Sequence, residues 1–187
     1  MITYTFATTD NQLSAIIDLQ QYNLPQNLTK DEIEVQDFVT ISHTLEGMKK
    51  MNAYEQSLII KDEDTVVGYL LAMTKRSRTD IPILIPMFEI FDKIIYNNKT
   101  ISEYNYLIVG QACIDKTYRG QGLLDEAYNA YKKYFSHKYD FAITEIAVTN
   151  QRSINAHKRI GFSEIHKYTD ANNVEWSIVV WNWGNLH

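Results

Sequence analysis

The reading turns on one stretch, Tyr106-Leu107-Ile108-Val109-Gly110-Gln111-Ala112-Cys113-Ile114-Asp115, followed by Tyr118-Arg119-Gly120-Gln121-Gly122-Leu123-Leu124. The first run is apolar and reads as a strand. The second is a glycine-punctuated turn that opens into a helical pattern. Leu124, Tyr128, Tyr131 and Phe135 recur at i, i+4, i+7 and i+11, one face of a helix. Asp125 and Glu126 stand at its start and Lys132, Lys133 and His137 near its end, which suits the helix dipole. A strand, a glycine turn and a helix N-terminus together form an anion site. Glycine lets the backbone approach a ligand, and the first helical N–H groups have no partner within the helix. Arg119 adds a fixed charge and a donor fork suited to phosphate. The pattern is neither a P-loop nor G-x-G-x-x-G.

Phe141 to Val148 reads as a second strand, followed by Asn150-Gln151-Arg152-Ser153-Ile154-Asn155-Ala156-His157-Lys158-Arg159-Ile160-Gly161-Phe162. With this segment the chain resembles the GCN5-related N-acetyltransferase (GNAT) superfamily. Arg119 and Gly122 match that family's acetyl-CoA loop, R/Q-x-x-G-x-G/A, while Leu124 departs from its last small position. Asn150, Ser153, Gly161 and Phe162 match N-x-x-A/S-x-x-x-Y-x-x-x-G-F, with His157 in the tyrosine place. The resemblance implies an α/β fold with a central twisted mixed sheet, two splayed parallel strands and flanking helices. It implies acetyl-CoA as cofactor and CoA as product. The backbone of Ala112, Cys113 and Ile114 would hold the pantetheine, the turn Arg119, Gly120, Gln121, Gly122, Leu123 and Leu124 the pyrophosphate, and Asn150 the pantetheine arm. A helix N-cap is the structural alternative for Asn150.

Transfer to a primary amine needs a neutral nucleophile, because an ammonium has no lone pair. A base must take its proton, and an acid can protonate the departing thiolate. The resemblance puts His157 at the acid position, where an imidazole can also donate. Glu145 is the candidate base, on the second splayed strand and alternating away from Ile146 and Val148. Glu103, Tyr106 and a water chain are its rivals. The alternative reading of the whole chain is a non-catalytic acyl-CoA-binding or sensor module on the same fold. A third is an interaction protein that works through Ile83 to Tyr96.

Composition sets the outer limits. At 187 residues the length suits a single domain over 1–187 with a proper core. A formal net charge of -5 argues against an extended nucleic-acid surface and would steer a cationic acceptor, a small-molecule or protein amine. No apolar run is long enough to span a membrane, and Met1 to Phe6 lacks the features of a secretory signal. The single cysteine, Cys113, excludes an internal disulfide, and no cysteine cluster suggests a metal. A reducing cytoplasm is the expected location.

The remaining elements follow from pattern. Ile2 to Phe6 alternates as a strand. Thr9-Asp10-Asn11-Gln12 is a capping box for a helix that carries Leu13, Ile16, Ile17 and Gln20, and Thr29-Lys30-Asp31-Glu32 repeats that signal. Leu45 to Met51 suits a helix. Ser57–Lys61 and Thr65–Thr74 form a hairpin, as do Ser163–Tyr168 and Val174–Trp183. Ile83 to Tyr96 is expected to be a helix within a helical insertion around 79–103. Its face Leu84, Met87, Phe91 and Ile94 would pack on the sheet. Ile83, Ile85, Phe88 and Ile95 would be left to wall an acceptor site or to form a homodimer contact.

Overall fold

The computed structural model describes residues 1–28 and 41–184. Nine strands and five α-helices are formed by these residues. The strands are β1 (Ile2–Phe6), β2 (Leu58–Asp62), β3 (Thr65–Met73), β4 (Ile95–Tyr96), β5 (Lys99–Thr100), β6 (Tyr106–Ile114), β7 (Phe141–Ala147), β8 (Ser163–Thr169) and β9 (Glu175–Asn182). The helices are α1 (Asp10–Tyr22), α2 (Leu45–Tyr54), α3 (Ile85–Phe91), α4 (Leu123–Phe135) and α5 (Gln151–Ile160). Seven strands make one sheet in the order β1-β2-β3-β6-β7-β9-β8. Its pairs are antiparallel except β6 with β7, which run parallel.

Both faces of the sheet are covered, which is why its central strands read as continuous apolar runs. Alternation along β6 sends Tyr106 and Ile108 to the side packed by α1, α2 and α3, and Leu107 and Val109 to the side packed by α4. On α4, Tyr128, Tyr131 and Phe135 are fully buried, each worth about 1.5–3 kcal/mol of apolar burial. Leu123, rather than Leu124, is the buried residue of its first turn. The capping box at Thr9 forms as expected, with Thr9 accepting from the Gln12 N–H. The second capping-box signal, Thr29 to Glu32, lies outside the described residues.

One expectation is corrected. Ile83 to Tyr96 is not one helix: a 3₁₀ turn, Pro82–Leu84, leads into the seven-residue α3, and β4 and β5 follow as a small hairpin. Pro86 is tolerated because it stands in the first turn of α3. Asn97 and Asn98 both adopt positive φ between the paired Tyr96 and Lys99, the geometry of a two-residue type I′ turn. Leu84, Met87, Phe91 and Ile94 are buried as expected, but so is Phe88, at 1% exposure. Ile85 and Ile95 are the exposed members.

Candidate active site

β6 and β7 pair only at Tyr106↔Phe141, Leu107↔Ala142 and Ile108↔Ile143. Beyond Ile108 the strands part. The Thr144 hydroxyl donates to the Val109 carbonyl at 2.8 Å, so a side chain takes over where the ladder stops. β6 also carries one residue more than β3 between the pairs Leu70↔Ala112 and Ala72↔Val109. That bulge lies at Gly110 and Gln111. Gly110 has a packing reason as well, since a Cβ there would stand 3.0 Å from Met73 Cε.

The parted strands leave a narrow wedge of about 80 Å³, lined by Val109 to Ala112, Thr144 to Ala147, Asn150, Ser153, His157 and Trp176. A strand edge without a neighbour leaves N–H and C=O groups for a ligand's amides. Ala112 lines this wedge and Ile114 lines the next cleft. The Cys113 side chain points away from both, into the core beside Tyr69.

At the outer end of β6 a second cleft, of about 730 Å³, is lined by Tyr118, Arg119, Gly120, Gly122, Leu123, Leu124 and Asp125, and by Arg152, Asn155 and Arg159 from α5. Gly120 and Gly122 have φ of +76° and +78°, and a Cβ on either would meet nothing within 4 Å. Gly122 is the N-cap of α4 and makes no side-chain capping bond, so the first N–H groups of α4 depend on an outside acceptor. Three arginines around an uncapped helix start fit a polyphosphate. Arg159 holds Asp125 at 3.1 Å. Arg119 is also a tether, donating through Nε to the Ile114 carbonyl at 2.9 Å and through Nη2 to Asn23 Oδ1 at 2.6 Å, at the end of α1. Gln121 is exposed, and its amide donates to the Thr117 carbonyl at 3.2 Å.

A third cleft, of about 630 Å³, meets the wedge at Val109, Gly110, Thr144, Glu145 and Trp176. Its other walls come from Leu84, Pro86, Met87, Glu89, Ile90 and Lys93, and from Tyr168 to Asn172. Glu145 thus stands between the wedge and this cleft. Burial pushes its carboxyl up to about 7, against the Tyr168 hydroxyl that donates to it at 2.6 Å. A carboxyl that ionises near neutrality is suited to take a proton.

His157 is buried on α5. Its Nδ1 lies 2.8 Å from the Ser153 carbonyl, which can only accept, so Nδ1 carries the hydrogen. Nε2 therefore accepts from the Tyr128 hydroxyl at 2.7 Å. Burial pulls its pKa down to about 4, leaving the ring neutral at pH 7. Both ring nitrogens are engaged within the protein. Asn150 combines two roles: it N-caps α5, accepting from the Ser153 N–H at 3.1 Å, and it lines the wedge. The rival bases have other occupations. Glu103 closes a capping box on Thr100, and Tyr106 is buried with its hydroxyl pKa pushed up; neither lines these clefts. Pattern reasoning passed over Gly110, Gln111, Thr144, Arg159, Tyr168 and Trp176. A lone glycine inside an apolar strand was the one local signal, since it often marks a bulge.

The sequence profile of the acetyltransferase (GNAT) family matches residues 26–162, and the chain belongs to that family. No curated protein matches the sequence significantly. Among solved structures, Arabidopsis thaliana NAA60 in complex with a bisubstrate analogue aligns at TM-score 0.68 and 13% identity, over 100% of both chains. The NatC complex bound to Gag peptide and CoA aligns at TM-score 0.65 and 14% identity, over 97% of this chain and 98% of that one. The ribosomal-protein-S18-alanine N-acetyltransferase of Escherichia coli aligns at TM-score 0.61 and 12% identity, over 100% of this chain and 99% of that one. Identities this low speak to fold alone.

Proposed function

We propose that this protein transfers an acetyl group from acetyl-CoA directly to a primary amine. The observation that carries this reading is the wedge between β6 and β7, with an arginine-lined glycine cleft at one end and the Glu145 carboxyl at the other. Acetyl-CoA, when bound, supplies the acetyl group as an activated thioester. Arg119, Arg152 and the N–H groups at the start of α4 would hold its phosphates, and the edges of Val109 to Ala112 its pantetheine arm. The acceptor would enter from the cleft beneath α3. Glu145, ionised, takes the proton from the amine and frees its lone pair. Tyr168 keeps the carboxylate aimed by donating to it.

His157, given the acid role by its register, has its donor spent on Ser153 and its acceptor on Tyr128. That supports a positioning role: it holds α5 against α4 and keeps Ser153 and Asn150 at the wedge. A cytoplasmic setting belongs to the same proposal.

The test is thiol release from acetyl-CoA across a panel of amines. Turnover is expected in the wild type, and Glu145→Gln should lower kcat by ~10²–10⁴-fold with acetyl-CoA affinity retained. Tight acetyl-CoA binding without turnover on any amine would favour the acyl-CoA sensor instead.

A further inference from the structure

The cleft beneath α3 differs in chemistry from the phosphate cleft. Leu84, Met87 and Ile90 give it an apolar wall, and Met73 and Ile108 line it from the sheet. Among the described residues its charged members are Glu89, Glu145 and Asp170 against one cation, Lys93. Glu89 and Lys93 are both exposed, Glu89 on α3 and Lys93 just beyond its end. Asp170 is engaged by the Asn172 and Val174 N–H groups and by Trp176 Nε1–H. A ligand carboxylate placed here would meet Glu89, Asp170 and, once it ionises, Glu145, and among the described residues no arginine lines the cleft to clamp it. An ammonium meets the opposite field, and an apolar arm beside it finds a surface already built.

We infer that the acceptor carries its amine on an apolar arm and has no free carboxylate beside that amine. This rests on the transferase reading and narrows its substrate class. It separates amides, peptide N-termini and arylalkyl amines from free amino acids, and apolar arms from glycine-like ones. The two sources of such an amine, a peptide end and a small molecule, share this chemistry.

The test is calorimetry on the protein with saturating CoA, using glycinamide, phenylalanine amide, phenylalanine, a phenylalanine-led tripeptide amide and phenethylamine. Phenylalanine amide should bind at least ~10-fold more tightly than glycinamide, the low end of what a pocket draws from apolar contact. It should exceed phenylalanine by a similar ~10-fold margin, from like-charge repulsion. Ile90→Ser should erase most of the gap between the two amides, while Ile85→Ser, exposed and outside the cleft, should leave it unchanged. Tripeptide above phenethylamine supports the inference with a peptide end as source; the reverse order supports it with a small amine. Equal affinity for phenylalanine and its amide, equal affinity for the two amides, or no amine binding at all overturns it. Thiol release is read separately. Its absence with a bound apolar amine would overturn the transferase reading, and the inference about an acceptor with it, leaving only the ligand preference of the cleft.

Discussion

At Glu145 burial holds the carboxyl at about 7, and two pH effects of opposite consequence follow. In the proposed mechanism Glu145 works as a base only when ionised, so kcat/KM should rise through about pH 7 and level off above it. Glu145→Gln should lose that limb of the profile. Stability runs the other way. Between the ordinary 4.5 of the unfolded chain and about 7, the folded state holds a proton that the unfolded state has released. Folding is therefore favoured at the acid end of this window and loses about 3 kcal/mol as pH rises across it. Glu145→Gln should be level with the wild type near pH 4.5 and the more stable protein at pH 8, as read by denaturant melts. His157 has the opposite sign. Its folded pKa of about 4 lies below the ordinary 6.5, so the unfolded chain takes up the proton first as pH falls, and stability drops through that window. His157→Ala should flatten this drop. It should also cost roughly 2 kcal/mol at pH 8, because the buried hydrogen bond from the Tyr128 hydroxyl and the ring contact with Phe162 are lost. Its kcat should fall by less than ~10-fold, below the range of a general acid. Sequence register put His157 in the family's tyrosine place. It had no means of showing that Tyr128, twenty-nine positions away, meets Nε2.

Among the elements, the turn into α4 carries the sharpest expectation. Gly122 has φ +78° with open space around its Cβ position, so a side chain there strains the backbone without a clash. Gly122→Ala should cost about 1–2 kcal/mol through that left-handed conformation. Gly122→Glu should fold and bind no acetyl-CoA, since its carboxylate enters the phosphate cleft; calorimetry beside a melting curve checks both. This element was legible because its signals are local: glycines in the turn, then a 3.6-residue period. The segment from Ile83 to Tyr96 was misread because its apolar residues are too dense to distinguish a helix from a turn-helix-hairpin. Pro86 and the Asn97-Asn98 pair held the correct information. The wall that faces the third cleft is Leu84, Met87 and Ile90, whereas Phe88 belongs to the core.

For the molecule as a whole, the sheet divides the labour. The third cleft opens beside α3, and β7 alternation sends the Glu145 side chain away from the face on which Ile146 packs toward α4. The net charge of -5 and the carboxylates around the acceptor cleft should steer a cationic amine. KM for such an amine should rise between 50 and 300 mM salt, on the order of a few-fold, with kcat unchanged, as expected for a screened encounter. A KM indifferent to salt would leave the charge without a part in capture. No local pattern could have shown this cleft, because it is assembled from β3, α3, β6, β7 and the β8–β9 hairpin, which meet only in the folded chain.

Trp176 lines both the wedge and the third cleft, and its indole N–H rests on Asp170 Oδ2 at 3.1 Å. The other two tryptophans, Trp181 and Trp183, are buried against each other in the apolar layer beneath α4. One of the three indoles is thus a native optical reporter placed where the wedge and the third cleft join, the meeting point of the two reactants in the proposed function. Its emission should shift as each ligand displaces water from the ring, and Trp176→Phe should silence that change. Titrating either reactant against it, alone and in the presence of the other, gives the order in which they load, with no label attached to the protein.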